Sequence, residues 1–124
     1  MVENKNYEVC FYETARGDCP ADDFIGHLNF KTKVKLEKWL AKLEELGPDL
    51  PRPYADVVRG KIRELRLIFA SNQYRLFYFF RDKKIIVTHG FMKKTDKIPK
   101  EEILRAERIR FDFEERLLRG EIEL

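Results

Sequence analysis

The sequence is poor in the residues that usually announce chemistry. It holds two cysteines, Cys10 and Cys19, and two histidines, His27 and His89. The cysteine separation fits no zinc spacing, and two thiols are not a disulfide framework. They read as free thiols of a reducing compartment. There is no glycine-rich phosphate loop, no metal-ligand cluster and no serine–histidine–acid signature. Metal-dependent chemistry is therefore disfavoured, and no cofactor is expected. Long apolar runs are missing too, since nothing approaches the roughly 20 residues that span a bilayer. Met1 to Asn6 is polar and unlike a secretory leader. The expectation is a soluble cytoplasmic protein without membrane association.

Charge of one sign is also scarce. Lys and Arg number 25 against 22 Asp and Glu, a net charge of +3. So mild an excess does not by itself imply nucleic acid, and the local distribution must carry that argument. What is plentiful is apolar and aromatic side chain, 44% and 13% of the 124 residues. That composition belongs to a folded protein. The length fits one domain, residues 1–124, able to bury a core without staples.

The chain opens on a β-like run, Tyr7 to Phe11 and Tyr12. Pro20 starts a short helix with Asp22 and Asp23 in its first turn, where the helix dipole favours acids. Asn29 caps a longer helix whose apolar stripe is Leu36, Trp39, Leu40, Leu43 and Leu46, all read as core. Gly47-Pro48 ends it. Pro51 and Pro53 make Asp49 to Arg59 read as an irregular connection. Three β-like runs follow, Lys61–Phe69, Gln73–Phe80 and Lys84–Met92, with hairpin-length breaks. Pro99 opens a last helix with stripe Ile103, Ala106, Ile109, Arg110, Phe113 and Leu117. The order predicts an α+β fold with an antiparallel meander and the helices on one face of the sheet.

Alternation along the strands places charge where a sheet normally carries core. Glu64, Arg66 and Ile68 share one side of their strand. Arg75, Phe77 and Phe79 share one side of the next, opposite Tyr74, Leu76, Tyr78 and Phe80. His89, Phe91 and Lys93 share one side of the last. A sheet face bare of helices would present Arg66, Arg75, His89, Phe91 and Lys93 together, beside Lys94 and Lys97. That combination suits a phosphate-rich ligand, with RNA the leading candidate. Each feature has a plainer reading. Arg66 with Glu64, or Arg75 with a neighbouring acid, fits a structural ion pair. His89 fits a satisfied sheet residue, and the lysines fit a solvated loop. Phe77, Phe79 and Phe80 read as core.

Glu64-Leu65-Arg66, Tyr74-Arg75 with Tyr78, Gly90-Phe91-x-Lys93-Lys94-Thr95, and Pro99 with Glu102-Ile103 and Ala106 occur in an order that resembles a known family. It is the phage-derived HigB branch of the RelE/ParE toxin superfamily, and the resemblance covers nearly the whole chain. One departure is Ile98, where members commonly carry threonine before the proline. An isoleucine cannot cap helix N–H groups. The resemblance implies a twisted antiparallel sheet with two N-terminal helices and a C-terminal helix. It implies a toxin of a type II toxin–antitoxin pair, acting as a ribosome-dependent mRNA endoribonuclease. Its partners would be the ribosome, mRNA and a helix-turn-helix antitoxin.

Metal-free RNA cleavage needs a base for the 2′-hydroxyl, cations for the phosphorane and an acid for the leaving oxygen. Arg66, Arg75 and Lys93 are the expected catalytic set, because arginine offers several donors to phosphate oxygens. Phe91, Lys94, Lys97, His89 and Tyr78 are the expected RNA contacts, and Glu64 is a secondary candidate. Two alternatives stay open: a ParE-like gyrase inhibitor without nuclease chemistry, and a non-catalytic RNA-binding domain.

Overall fold

The computed structural model describes residues 6–124. All but the last residue of the polar opening stretch lies outside them. The element order is β1 (Glu8–Phe11), α1 (Pro20–Gly26), α2 (Phe30–Leu46), a short 3₁₀ turn (Gly47–Asp49), β2 (Ala55–Arg59), β3 (Ile62–Phe69), β4 (Asn72–Arg81), β5 (Lys84–Lys93) and α3 (Lys100–Leu118). The five strands form one sheet in the order β1-β5-β4-β3-β2. All neighbours are antiparallel except β1, which runs parallel to β5. The fold is α+β, as expected. Among the described residues no helix is long and apolar enough to cross a membrane.

Local signals explain most boundaries. Asn29 caps α2 by accepting a hydrogen bond from Thr32 N–H at 2.9 Å, which satisfies one of the open donors of the first turn. Gly47 ends the same helix at φ 55°, with its Cα against the Tyr7 ring. Ala70 and Ser71 both take positive φ, the backbone of a two-residue turn whose twist matches that of the strands. Among the described residues no side chain supplies the cap that Ile98 cannot give to α3. Its N-cap is Pro99, without a side-chain bond, and the Thr95 hydroxyl donates to Lys97 O instead.

Two expectations need correction. Ala55–Arg59 is a strand, not an irregular connection, and it pairs with β3. The prolines before it delay the strand rather than prevent it. The helices also do not share a face. One core cluster joins α1 and α2 to Leu65, Leu67, Leu76, Tyr78, Ile85 and Val87. The other joins α3 to Ile62, Phe77, Phe79, Ile86 and Phe91. The sheet is thus a middle layer, with α3 on the side that carries the arginines. Arg116 anchors the far end of α3, contacting Asp112 at 2.9 Å and donating to Glu13 O.

A bulge decides what β5 shows to α3. Phe77 pairs with His89, but Tyr78 pairs with Val87, so Thr88 is the extra residue. A one-residue offset exchanges faces in a strand. Ile86 and His89 consequently look the same way despite their odd spacing. Gly90 lies on the other face, where a Cβ would come within 2.4 Å of the Phe24 ring of α1. This close approach accounts for the glycine inside a central strand.

Candidate functional site

The sheet aligns the charged residues in cross-strand rows. Arg66 pairs with Arg75, and Arg75 with Phe91. On one side of that row stand Glu64, Phe77 and His89. On the other stand Ile68, Gln73 and Lys93. Lys93 is the diagonal neighbour of Arg75, which puts the two about 7–8 Å apart at their backbones. The expected clustering of Arg66, Arg75 and Lys93 is present.

Like charges directly opposite on a sheet repel, so the arginine pair requires compensation. Glu64 provides it. One carboxylate oxygen lies 2.7 Å from Arg75 Nε, and the other accepts from Arg66 Nη2 at 3.1 Å. The Arg75 contact is one of charge, because its N–H does not point along the line to the oxygen. Asp56, opposite Glu64 on β2, accepts from Arg66 at 3.3 Å and contacts Arg52 at 2.9 Å. Signs therefore alternate along Arg52, Asp56, Arg66, Glu64 and Arg75. Asp56 was invisible in the sequence because its strand was read as a loop.

Arg75 is buried, and each of its two terminal nitrogens donates a hydrogen bond within the sheet. It donates to Tyr74 O and Gln73 Oε1, both at 3.2 Å. Burial lowers its pKa from the usual arginine value, and the nearby Glu64 charge works against that shift. The structural ion pair is thus present at this residue. Arg66 is more open. Its side chain is 29% exposed. Lys93 is half-buried, while Lys94 and Lys97 are exposed. Among the described residues none of these three lysines has an ion-pair partner.

Three expected RNA contacts are buried. Tyr78 is fully buried on the opposite face, among the residues packed against α2, and burial raises its hydroxyl pKa. Phe91 is buried against Phe77, edge to face at 5.1 Å. It is a wall beside Arg75 and presents no open ring. His89 is sealed beneath the start of α3. Thr88 Oγ1 donates to Phe77 O at 3.2 Å, which leaves an oxygen lone pair for His89 Nδ1–H at 3.0 Å. That tautomer turns an accepting Nε2 toward Glu102, 3.2 Å away. The network is complete when Glu102 carries a proton, and burial raises the Glu102 pKa in that direction.

Burial, helped by Arg105, pushes His89 down to about 3 from 6.5. The unfolded chain therefore takes up a proton between these values that the native state refuses. Stability should fall as pH drops from about 6.5, by about 2 kcal/mol at pH 5 for this group. Glu102 acts in the opposite sense: its raised pKa favours the fold at low pH, an effect lost as pH rises through the carboxylate range. Urea midpoints at pH 7 and pH 5 test the balance. His89→Gln should lose less stability than the parent between them, and equal losses would mean that His89 is not held neutral.

The chain was compared with known proteins. A family model described as "Phage derived protein Gp49-like (DUF891)" matches residues 23–110. No curated protein matches the sequence. The matched segment runs from α1 into α3 and includes every residue of the arginine row and its lysine neighbours. With well over half of its length inside that match, the chain belongs to the phage-derived Gp49-like family.

Proposed function

We propose that the protein is the toxin of a type II toxin–antitoxin pair and cleaves mRNA on the ribosome without a bound metal. The observation that carries this reading is the Arg66–Arg75 row with Lys93 on its diagonal, beside lysines that have no ion-pair partner among the described residues. Glu64 ties both arginines and fixes their forks in advance. Preorganised donors are worth most where charge develops in a transition state. Arg66 then offers its spare donors to the phosphate oxygens, and Lys93 supplies a second cation from the end of β5. Arg75 positions Arg66 and deepens the local field without an open fork of its own. The ribosome would supply the remaining alignment of the 2′-hydroxyl. The proposed partner is a helix-turn-helix antitoxin that neutralises this cationic face, and the proposed compartment is the cytoplasm.

Induced expression tests the reading. It should arrest growth and leave cuts within translated codons, mapped as new mRNA 5′ ends. The upstream fragments should end in 2′,3′-cyclic or 3′-phosphate, since the attacking group is the 2′-hydroxyl. Intact mRNA together with trapped or relaxed DNA would favour a ParE-like action on gyrase. Cuts ending in 3′-hydroxyl would sink the metal-free mechanism.

A further inference from the structure

Beside the arginine row a cleft of about 330 Å³ opens between α2 and the outer edge of β3. Volumes of this order hold small ligands. Trp39 and Tyr54 form one wall, stacked at 4.5 Å with an interplanar angle of 22°. Pro53 and Ile68 extend the apolar surface, and Tyr54 and Ile68 are both exposed. Trp39, read from the sequence as core, is only half-buried. The remaining lining is Leu67 and three cations, Lys35, Arg66 and Arg75.

The polar groups narrow the choice of occupant. The β2 pairing stops at Leu65, so the rest of β3 has an open edge. That edge is already engaged, because Arg66 N–H donates to Tyr54 O at 2.8 Å and Lys35 Nζ donates to Ile68 O at 2.7 Å. An added peptide strand would need those same backbone groups. Ion pairs beside the cleft join Arg52, Arg66 and Arg75 to two carboxylates, Asp56 and Glu64, and among the described residues Lys35 has no ion-pair partner, so four cations meet two acids. Flat aromatic walls beside an excess of cations match a planar base joined to a phosphate.

We propose that this cleft is a nucleobase subsite, taking the base of a nucleotide whose phosphate is held by Lys35 and Arg66. The proposal rests on the RNA-cleaving reading for its biological substrate: Arg66 and Arg75 line both places, so the bound base would belong to a nucleotide next to the scissile phosphate. The cleft would then contribute to which nucleotide is cut.

Trp39 is the chain's only tryptophan, so fluorescence excited beyond the tyrosine absorption band reports on the cleft. The purified protein is titrated without ribosomes against AMP, GMP, CMP, UMP and inorganic phosphate. At least one nucleoside monophosphate should quench Trp39 saturably, and phosphate alone should not. Tyr54→Ala should weaken binding at least about fivefold, as loss of a stacking partner does. Tyr54→Phe should retain binding, and Lys35→Ala should flatten its salt dependence. If Tyr54→Ala misfolds, the Tyr54→Phe and Lys35→Ala results decide. Silence toward all four nucleotides, equal quenching by phosphate, or undiminished binding by folded Tyr54→Ala would overturn the subsite. A protein that cuts mRNA with Trp39 silent would lose the subsite and keep the nuclease reading. Nucleotide binding by a protein that cuts no mRNA would do the reverse.

Discussion

Replacing Arg75 with alanine should destabilise the fold by about 3–5 kcal/mol, the usual cost of removing one partner of a buried ion pair. The side chains of Arg75 and Glu64 are 6% and 4% exposed. Without Arg75, Glu64 remains buried with only Arg66 to balance it. Gln73 Oε1 and Tyr74 O lose their donors as well. For a domain of this size the melting temperature should fall on the order of 10–25 °C. Glu64→Gln in the same background should recover part of the loss, because a neutral amide costs less to bury than a carboxylate. Arg75→Lys should recover little, since an ammonium cannot reach Glu64, Gln73 and Tyr74 O in the geometry of a guanidinium fork. Thermal melts of the single and double variants give the coupling directly. An Arg75→Ala protein as stable as the parent would show that the pair carries no structural role.

This expectation reverses what an arginine on a bare sheet face would imply, and the reversal shows where sequence reading ends. Alternation correctly put Arg66 and Arg75 on one side, and short turns such as Ala70–Ser71 fixed which strands are neighbours. Face and row were therefore legible. Cover was not. Whether α3 returns over the arginine side depends on the path of the chain after Lys93, which no local pattern encodes. That choice buries His89 and Phe91 and leaves Lys93 at the margin. The bridging role of Glu64 was legible only as a possibility, because a carboxylate between two arginines requires the exact register. Asp56 needed a strand that Pro51 and Pro53 disguised. Tyr78 illustrates a different limit. Its alternation already put it opposite Arg75, and only the family resemblance made it an RNA contact.

Lys93→Ala should remove most of the proposed nuclease activity while leaving stability nearly unchanged. Lys93 ends β5, half-buried, with no ion-pair partner among the described residues. Substitutions away from packed or paired groups usually stay within about 0.5 kcal/mol. Its charge stands on the diagonal from Arg75 and opposite Gln73, where a phosphate held by Arg66 would develop its extra charge. Losing one preorganised donor at such a place costs about 10²–10³ in rate. Arg66→Ala should cost as much, but it also strips one cation from Glu64 and Asp56, so stability will fall with activity. Lys94→Ala should cost less, because its side chain is exposed and acts only by attraction. Each phosphate contact removed should flatten the salt dependence of single-strand binding by about 0.7 in log–log slope. The decisive comparison is mRNA cleavage on ribosomes against melting temperature. Lys93→Ala with parental melting and parental cleavage would take Lys93 out of the reaction.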